Sequence, residues 1–373
     1  MKIVHLSDLH LGKKLKDFSL HEDQEFILRK ILSVIDNETP DCIIIAGDIY
    51  DKSIPSSESV SLCDWFICSL AERKLPVFII SGNHDSAERI AFAEKLLHIS
   101  GIHISPVYNG TVEPISLTDE NGRVNFYMLP FIRPVAVRRF FPDIEISSYT
   151  DAVNAAIDAM NIDFSERNII ITHQFVTGAS SCDSEEHLVG GIENVDSSAF
   201  DGFDYVALGH IHNPQNIGSE RIRYCGTPLK YSISEANNEK SVTVVELAEK
   251  GNLQIKTVPL EPLRDVRKIT DTFDNLKSGE KSDDFISVIL TDEEDVPDAM
   301  NKLRRIYKNI MTVDYDNKRT KNTTDFTAKT ASENKSPLEL FGDFYTLQNN
   351  DDMSDEKKAY LSQLIEKIWG EEL

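Results

Sequence analysis

Lys2-Ile3-Val4-His5-Leu6-Ser7-Asp8-Leu9-His10 opens the chain with five residues of strand character running straight into Asp-x-His. The same construction recurs four times. Cys42–Ala46 leads into Gly47-Asp48-Ile49-Tyr50-Asp51, and Val77–Ile80 into Gly82-Asn83-His84-Asp85. Asn168–Thr172 ends on Thr172-His173, and Tyr205–Leu208 leads into Gly209-His210-Ile211-His212. Short runs rich in Ile, Val and Tyr, bounded by Gly and polar residues, read as buried strands. Val124–Leu129, Val242–Leu247 and Leu253–Val258 add three more. Glu22–Asp36, Ser57–Arg73, Ala87–His98 and Asp151–Met160 read as helices between them. This alternation predicts an α/β class. The strands from residue 221 onward look antiparallel, so the expected architecture is a two-sheet sandwich flanked by helices over residues 1–258.

A strand end is a rigid support from which a loop can aim side chains into a common cleft. In Asp-x-His and His-x-His, residues two apart on extended backbone point to the same side. The candidate ligands are therefore Asp8, His10, Asp48, Asn83, His173, His210 and His212. Carboxylate, amide oxygen and imidazole without thiolate suit Mn²⁺, Fe²⁺ or Zn²⁺ better than Ca²⁺ or an iron–sulfur cluster. Seven ligands are too many for one tetrahedral ion and fit two, with Asp48 shared between ions roughly 3.5–4 Å apart. Such a pair clamps a phosphate for in-line attack. Each motif alone has a bland reading: a surface or core His for Thr172-His173, a turn for Gly-Asn-His-Asp. The five together, each after an apolar run, carry the signal. His5, His21, His98, His103 and His187 lie outside these motifs and read as structural or solvated.

Residues 259–316 read as a small α+β domain. Phe285–Thr291 and Ile310–Tyr315 are strand-like, and Asp298–Tyr307 places Ala299, Met300, Leu303, Ile306 and Tyr307 on one helical face. Residues 317–335 are polar and read as a linker. Residues 336–373 read as a helical tail, beginning with a Ser336-Pro337-Leu338-Glu339 capping box and continuing in a second helix from Ser354. The tail's apolar faces, Leu338, Phe341, Phe344 and Tyr345, then Leu361, Leu364, Ile365, Ile368 and Trp369, are too small for a core of their own and must dock elsewhere. Five cysteines without a Cys-x-x-Cys pair fit reduced thiols in a cytoplasm. No apolar run approaches the ~18 residues of a membrane span, and the first residues lack a secretory pattern. The net charge is −23, which argues against a broadly basic DNA-binding surface but leaves room for a local patch, a metal-rich cleft or a partner that supplies the grip.

The five motifs in this order resemble the calcineurin-like metallophosphoesterases. Leu6-Ser-Asp-Leu-His-Leu-Gly12, Gly47-Asp-Ile-Tyr-Asp51, Gly82-Asn-His-Asp-Ser86 and Ala207-Leu-Gly-His-Ile-His212…Arg223-Tyr-Cys-Gly-Thr-Pro228 further resemble the SbcD family of nuclease subunits, as does the tail. That resemblance implies a Mn²⁺-dependent 3′→5′ double-strand exonuclease and single-strand or hairpin endonuclease acting in DNA repair, recombination or replication. It implies two Mn²⁺ ions, one held by Asp8, His10, Asp48 and His212, the other by Asp48, Asn83, His173 and His210. His84 would act on the scissile phosphate and leaving oxygen. Asp85 would orient His84, or would simply cap its turn. Relatives outside bacteria carry His at the position of Asp51. The implied partners are DNA, an SbcC-type coiled-coil ATPase that receives the tail, and a second copy of the chain, giving a heterotetramer with the ATPase.

The homodimer is also suggested by composition. Val60, Leu62, Cys63, Trp65, Phe66, Ile67, Cys68 and Leu70 wrap nearly the whole Ser57–Ala71 helix, and Ile90, Ala91, Phe92, Leu96 and Leu97 repeat the excess. Lys13, Lys14, Lys16, Arg89, Arg133, Arg138 and Arg139 read either as solvated charge or as backbone contacts flanking the cleft. Rival readings are a small-molecule phosphoesterase on the same scaffold and a non-catalytic clamp. The long extension after Val258 speaks against the first, and the complete ligand set against the second.

Overall fold

Over residues 1–259 the apolar runs become strands with limits within a residue or two of those expected, and the two runs beyond begin three residues earlier than expected. A computed structural model describes residues 1–185, 194–317, 337–349 and 351–369, in two units, Met1–Val266 and Arg267–Leu373. The first unit contains, in chain order, β1 (Lys2–Leu6), β2 (Lys14–Leu15), β3 (Phe18–Ser19), β4 (Cys42–Ala46), β5 (Val77–Ile80), β6 (Ile102–Ile104) and β7 (Ile115–Asp119). There follow β8 (Gly122–Leu129), β9 (Arg167–His173), β10 (Tyr205–Gly209), β11 (Gln215–Ile217), β12 (Ser219–Tyr224), β13 (Ser241–Leu247) and β14 (Leu253–Pro259). Its helices are α1 (His21–Glu38), α2 (Ser57–Glu72), α3 (Ala87–Ile90), α4 (Glu94–His98), α5 (Pro134–Val137) and α6 (Tyr149–Asp158).

Two six-stranded sheets form the sandwich, in the orders β14-β13-β1-β4-β5-β6 and β11-β12-β10-β9-β8-β7. In each, four strands run parallel: β1, β4, β5 and β6 in one, and β8, β9, β10 and β12 in the other. Alternate residues of the two sheets meet between them. Ile3, Ile44, Phe78 and Ile80 pack with Phe126, Ile169, Ile171 and Ala207, and the Phe78 and Phe126 rings stack at 4.3 Å. The outer face of the second sheet, Leu129, Ile170, Val206 and Leu208, is buried with Ala152, Val153 and Ala156 of α6. A parallel sheet covered on both faces explains why these strands read as unbroken apolar runs rather than alternating ones.

Three expectations change. Ala87–His98 is two short helices, because Ala93 takes a left-handed conformation (φ 61°) that redirects the chain and lays α4 beside β6. No Gly or Pro marks that break. β12 runs parallel to β10 on one side and antiparallel to the short β11 on the other, and the longer antiparallel pairing after residue 221 belongs to β13 and β14. In the second unit, β15 (Val266–Asp271), β16 (Ser282–Leu290) and β17 (Tyr307–Tyr315) form a sheet in that order, with α7 (Phe273–Lys277) and α8 (Ala299–Leu303). The helix expected over Asp298–Tyr307 is therefore one turn. Ala299 and Leu303 join Ile286, Val288 and Ile310 in the core, while Tyr307 begins β17 opposite Ser282. Pairing with β16 outweighs the helical spacing there. The tail contains α9 (Pro337–Asn349) and α10 (Asp355–Trp369). Most of the expected linker, the capping residue Ser336, His187 and the side chains of Ile368 and Trp369 lie outside the described residues.

Candidate metal centre

Every motif leaves the carboxyl end of a parallel strand: β1, β4 and β5 from one sheet, β9 and β10 from the other. Open α/β sheets place ligands at such ends. Here two sheets deliver them to one point, and glycine lets them close. A Cβ on Gly209 would collide with the Ala46 carbonyl and the His173 ring, and one on Gly82 with the Asp48 carboxylate. The backbone is locked as well: the Asp8 N–H donates to Gly47 O (3.0 Å) and the His10 N–H to Asp48 O (3.0 Å). Asp8, His10, Asp48 and His210 have φ of 52°, 44°, 51° and 101°. Non-glycine residues rarely adopt that region, and such strain collects at functional sites.

The seven expected residues converge. His10 Nε2 faces His212 Nε2 at 3.1 Å. Asp48 Oδ2 lies 3.6 Å from His10 Nε2 and 3.2 Å from His173 Nε2, so one carboxylate oxygen stands between the two imidazoles. Asn83 Oδ1 sits 3.0 Å from His173 Nε2 and 2.9 Å from His210 Nδ1. Asp8 accepts from the Ser7 hydroxyl and from the His210 N–H at 3.0 Å. Asp8, His10 and His212 form one potential metal-holding group, and Asp8, Asp48 and His173 another.

The electrostatics match a site built around cations. Burial, together with the Asp48 charge, raises the Asp8 carboxyl to about 6 against the pull of His173 and His212. Burial also opposes the Asp48 charge, but His173, His10 and His84 outweigh it and hold that carboxyl below the usual range. His173 is raised to about 9: burial lowers it, and the Asp48 charge and hydrogen bond overcome the effect. Divalent ions and protons compete for such atoms. Buried His10 Nδ1 has no hydrogen-bond partner and lies 4.0 Å from Asp51 Oδ1, while Nε2 is the ring atom turned to the cluster. Carboxylate, imidazole and amide oxygens fit hard or borderline divalent ions.

The two readings of Asp85 now separate. Its carboxylate accepts from the N–H groups of Gly82 (3.0 Å), Ile49 (3.1 Å) and Tyr50 (3.0 Å), tying the β4 and β5 loops together as a turn cap. None of these three bonds reaches the His84 ring. His84 Nδ1 bonds the Asp51 carbonyl instead (3.0 Å), and its N–H donates to Asp48 Oδ1 (2.9 Å). The Asp51 carboxylate pairs with Lys13 (2.9 Å). Sequence reading missed several supports. Gln24 of α1 donates to His10 O (2.7 Å), and Tyr231 donates to Leu9 O (2.5 Å). Ser184, Glu185, Glu235 and Lys240 surround His212. Gln24 left a trace, a polar residue on the buried face of an amphipathic helix; the others sit in loops without pattern.

Residues 1–214 match the family model described as calcineurin-like phosphoesterase. A protein of Staphylococcus epidermidis, named as the SbcD component of the nuclease SbcCD, is 37% identical over 319 residues, 83% of this chain and 84% of that protein. The protein of the same name from Staphylococcus saprophyticus is 34% identical over 342 residues, 90% of this chain and 88% of that one. The chain belongs to the calcineurin-like phosphoesterases, in the branch of these nuclease subunits. Membership implies divalent metal binding, and the cluster described above has the donors for it. Residues 258–349 of the phosphoesterase match a second model, described as type 5 capsule protein repressor C-terminal domain. No helix among its described residues is long and apolar enough to cross a membrane.

Proposed function

We propose that the chain is the nuclease subunit of an SbcCD-type complex, cutting DNA phosphodiesters as a 3′→5′ exonuclease on duplex ends and an endonuclease on single strands and hairpins. The observation that carries this is Asp48 standing between His10 and His173 at a point where two sheets deliver seven ligand side chains. Asp8, His10, Asp48 and His212 would hold one Mn²⁺, and Asp48, Asn83, His173 and His210 the other. When bound, such a pair supplies a nucleophile at neutral pH and positive charge for the phosphate oxygens. His84, anchored by Nδ1, is left with Nε2 to meet the scissile phosphate and the leaving oxygen. A groove of about 760 Å³ beside Asp51 is lined by Lys13, Lys14, Lys16 and Lys52, local positive charge in an acidic chain, suited to a DNA backbone. The test is cleavage of linear duplex and single-stranded DNA with Mn²⁺ and with EDTA. Hydrolysis of simple phosphate esters alone would favour the small-molecule reading.

Two association surfaces belong to this reading. Phe92, Leu96 and Ile99 are 79%, 70% and 83% exposed, and Ile54 and Val60 add to the apolar surface of the first unit. Large exposed apolar groups of this kind mark an interface, here with a second copy about a two-fold axis. Phe92→Glu with Leu96→Glu is expected to convert a dimer at micromolar concentration into a monomer by light scattering; a wild-type monomer would refute the interface. In the tail, α9 and α10 enclose a groove of about 570 Å³ lined by Phe341, Phe344, Tyr345, Met353, Tyr360 and Leu361. Helix-in-groove docking on the coiled coil of an SbcC-type ATPase fits that surface. Phe341→Asp with Phe344→Asp is expected to weaken ATPase binding at least about 30-fold, as loss of a hot spot of about 2 kcal/mol does. Single-strand cleavage by the isolated chain should persist. Unchanged affinity would exclude the tail as the tether.

A further inference from the structure

We infer that Glu235, acting through the Ser184 hydroxyl, positions His212 and thereby one metal ion. The inference rests on the two-metal reading above. Ser184 Oγ lies 2.5 Å from Glu235 Oε1 and 2.7 Å from His212 Nδ1. A hydroxyl has one proton to give, and a carboxylate can only accept. The Ser184 proton therefore goes to Glu235, and its lone pair accepts Nδ1–H from His212. That fixes the ring with a bare Nε2, the atom 3.1 Å from His10 Nε2 at the centre of the cluster.

The rest of His212 is pinned with equal economy. Its backbone N–H donates to Glu185 Oε1 (2.6 Å), and its carbonyl accepts from Lys240 Nζ (2.8 Å) and the Thr227 N–H (3.1 Å). Nε2 is thus the atom of His212 left for a ligand. The Glu235 carboxylate is itself held, by Lys240 Nζ on Oε2 (2.6 Å) and by Ser232 Oγ (3.1 Å) and the Tyr231 N–H (3.2 Å) on Oε1. Lys240 gives its third proton to Thr227 Oγ1 (2.7 Å), so its three donors are all engaged.

Cys182, His212 and Glu235 also lie close enough to be considered as ligands of a further ion. The buried Lys240 ammonium argues against it, since it already occupies the cationic position at Glu235. The Cys182 thiol instead lies 3.1 Å from Ser184 Oγ. The chain of groups is carboxylate, hydroxyl, imidazole, metal, an outer support of the kind that sets tautomer and ring orientation in metal sites.

The test is a Mn²⁺ titration of the full chain, read by calorimetry and by electron paramagnetic resonance. Ser184→Ala removes the hydroxyl and leaves the Glu235–Lys240 pair whole. It is expected to weaken one of two Mn²⁺ sites about 10–100-fold, with the other unchanged and the spin-coupled signal of the pair lost at low Mn²⁺. Ser184→Thr, which keeps the hydroxyl, is expected to restore both. Circular dichroism and melting in EDTA establish that each variant folds; Ser184→Gly, which also removes the hydroxyl and leaves the Glu235–Lys240 pair whole, gives the same reading should Ser184→Ala not fold. Wild-type affinity at both sites in Ser184→Ala, equal weakening of both, or failure of Ser184→Thr to rescue would overturn the inference and leave the metal centre standing. Wild-type protein that takes up no Mn²⁺ would overturn the metal centre as well.

Discussion

His84→Ala is expected to bind Mn²⁺ as the wild type does and to cleave DNA about 10²–10⁴-fold more slowly, the usual contribution of a positioned acid or base. Three features separate the two effects. The His84 contact with Asp48 is made by the backbone N–H (2.9 Å), which alanine keeps. The ring contributes its Nδ1 to the Asp51 carbonyl and stands edge-on to His10, centroids 4.9 Å apart, so its removal takes no hydrogen bond from a convergent nitrogen or oxygen. The side chain is only half-buried and so within reach of a substrate. The competing assignment makes His84 a ligand with His10 and Asp48, whose donor atoms are near enough. In that case His84→Ala would lose Mn²⁺ in a titration as well as activity. Cleavage at the wild-type rate would exclude both roles.

Most of the site could be read in the sequence because its chemistry sits where backbone pattern is strongest. Strands β1, β4, β5, β9 and β10 are buried on both faces, so each reads as an apolar run, and the ligand follows within a few residues. Spacing then does the rest. The residues that steady the ligands had no such flag. Ser184 and Glu235, 51 residues apart, meet at His212 with Glu185 and Lys240, from loops and the 3₁₀ turn Ile233–Glu235, whose sequence carries no period. Asp85 shows a different limit: a carboxylate next to a catalytic candidate has two chemically sensible jobs, and only the loop geometry selects the backbone one. The short helices α3, α4 and α8 failed for a third reason. Apolar spacing predicted long helices, but the left-handed Ala93, neither Gly nor Asn, turns the chain between α3 and α4, and pairing of Tyr307 with β16 ends α8 after one turn.

Asp48→Ala is expected to abolish cleavage and to remove the thermal stabilisation that Mn²⁺ gives the wild type. A ligand that binds only the native state adds about 2.7 kcal/mol at a hundredfold excess over Kd, so two sites add about 5 kcal/mol. For a unit of this size that is on the order of 10 °C in Tm. Asp48 Oδ2 lies within 3.6 Å of His10 Nε2 and 3.2 Å of His173 Nε2, and the carboxylate is shared between the two proposed ions. Loss of an outer support costs about 10–100-fold in metal affinity; loss of a shared ligand should cost more than that at each site. Removing Asp48 also perturbs the metal-free protein, because His173 loses the charge that raises it and the His84 N–H loses its acceptor. The informative quantity is therefore the difference between melting in Mn²⁺ and in EDTA, measured for each variant against itself. His84→Ala should keep nearly all of that difference and Asp48→Ala almost none. If Asp48→Ala keeps the full Mn²⁺ shift, the carboxylate does not bridge, and the two sites must be independent.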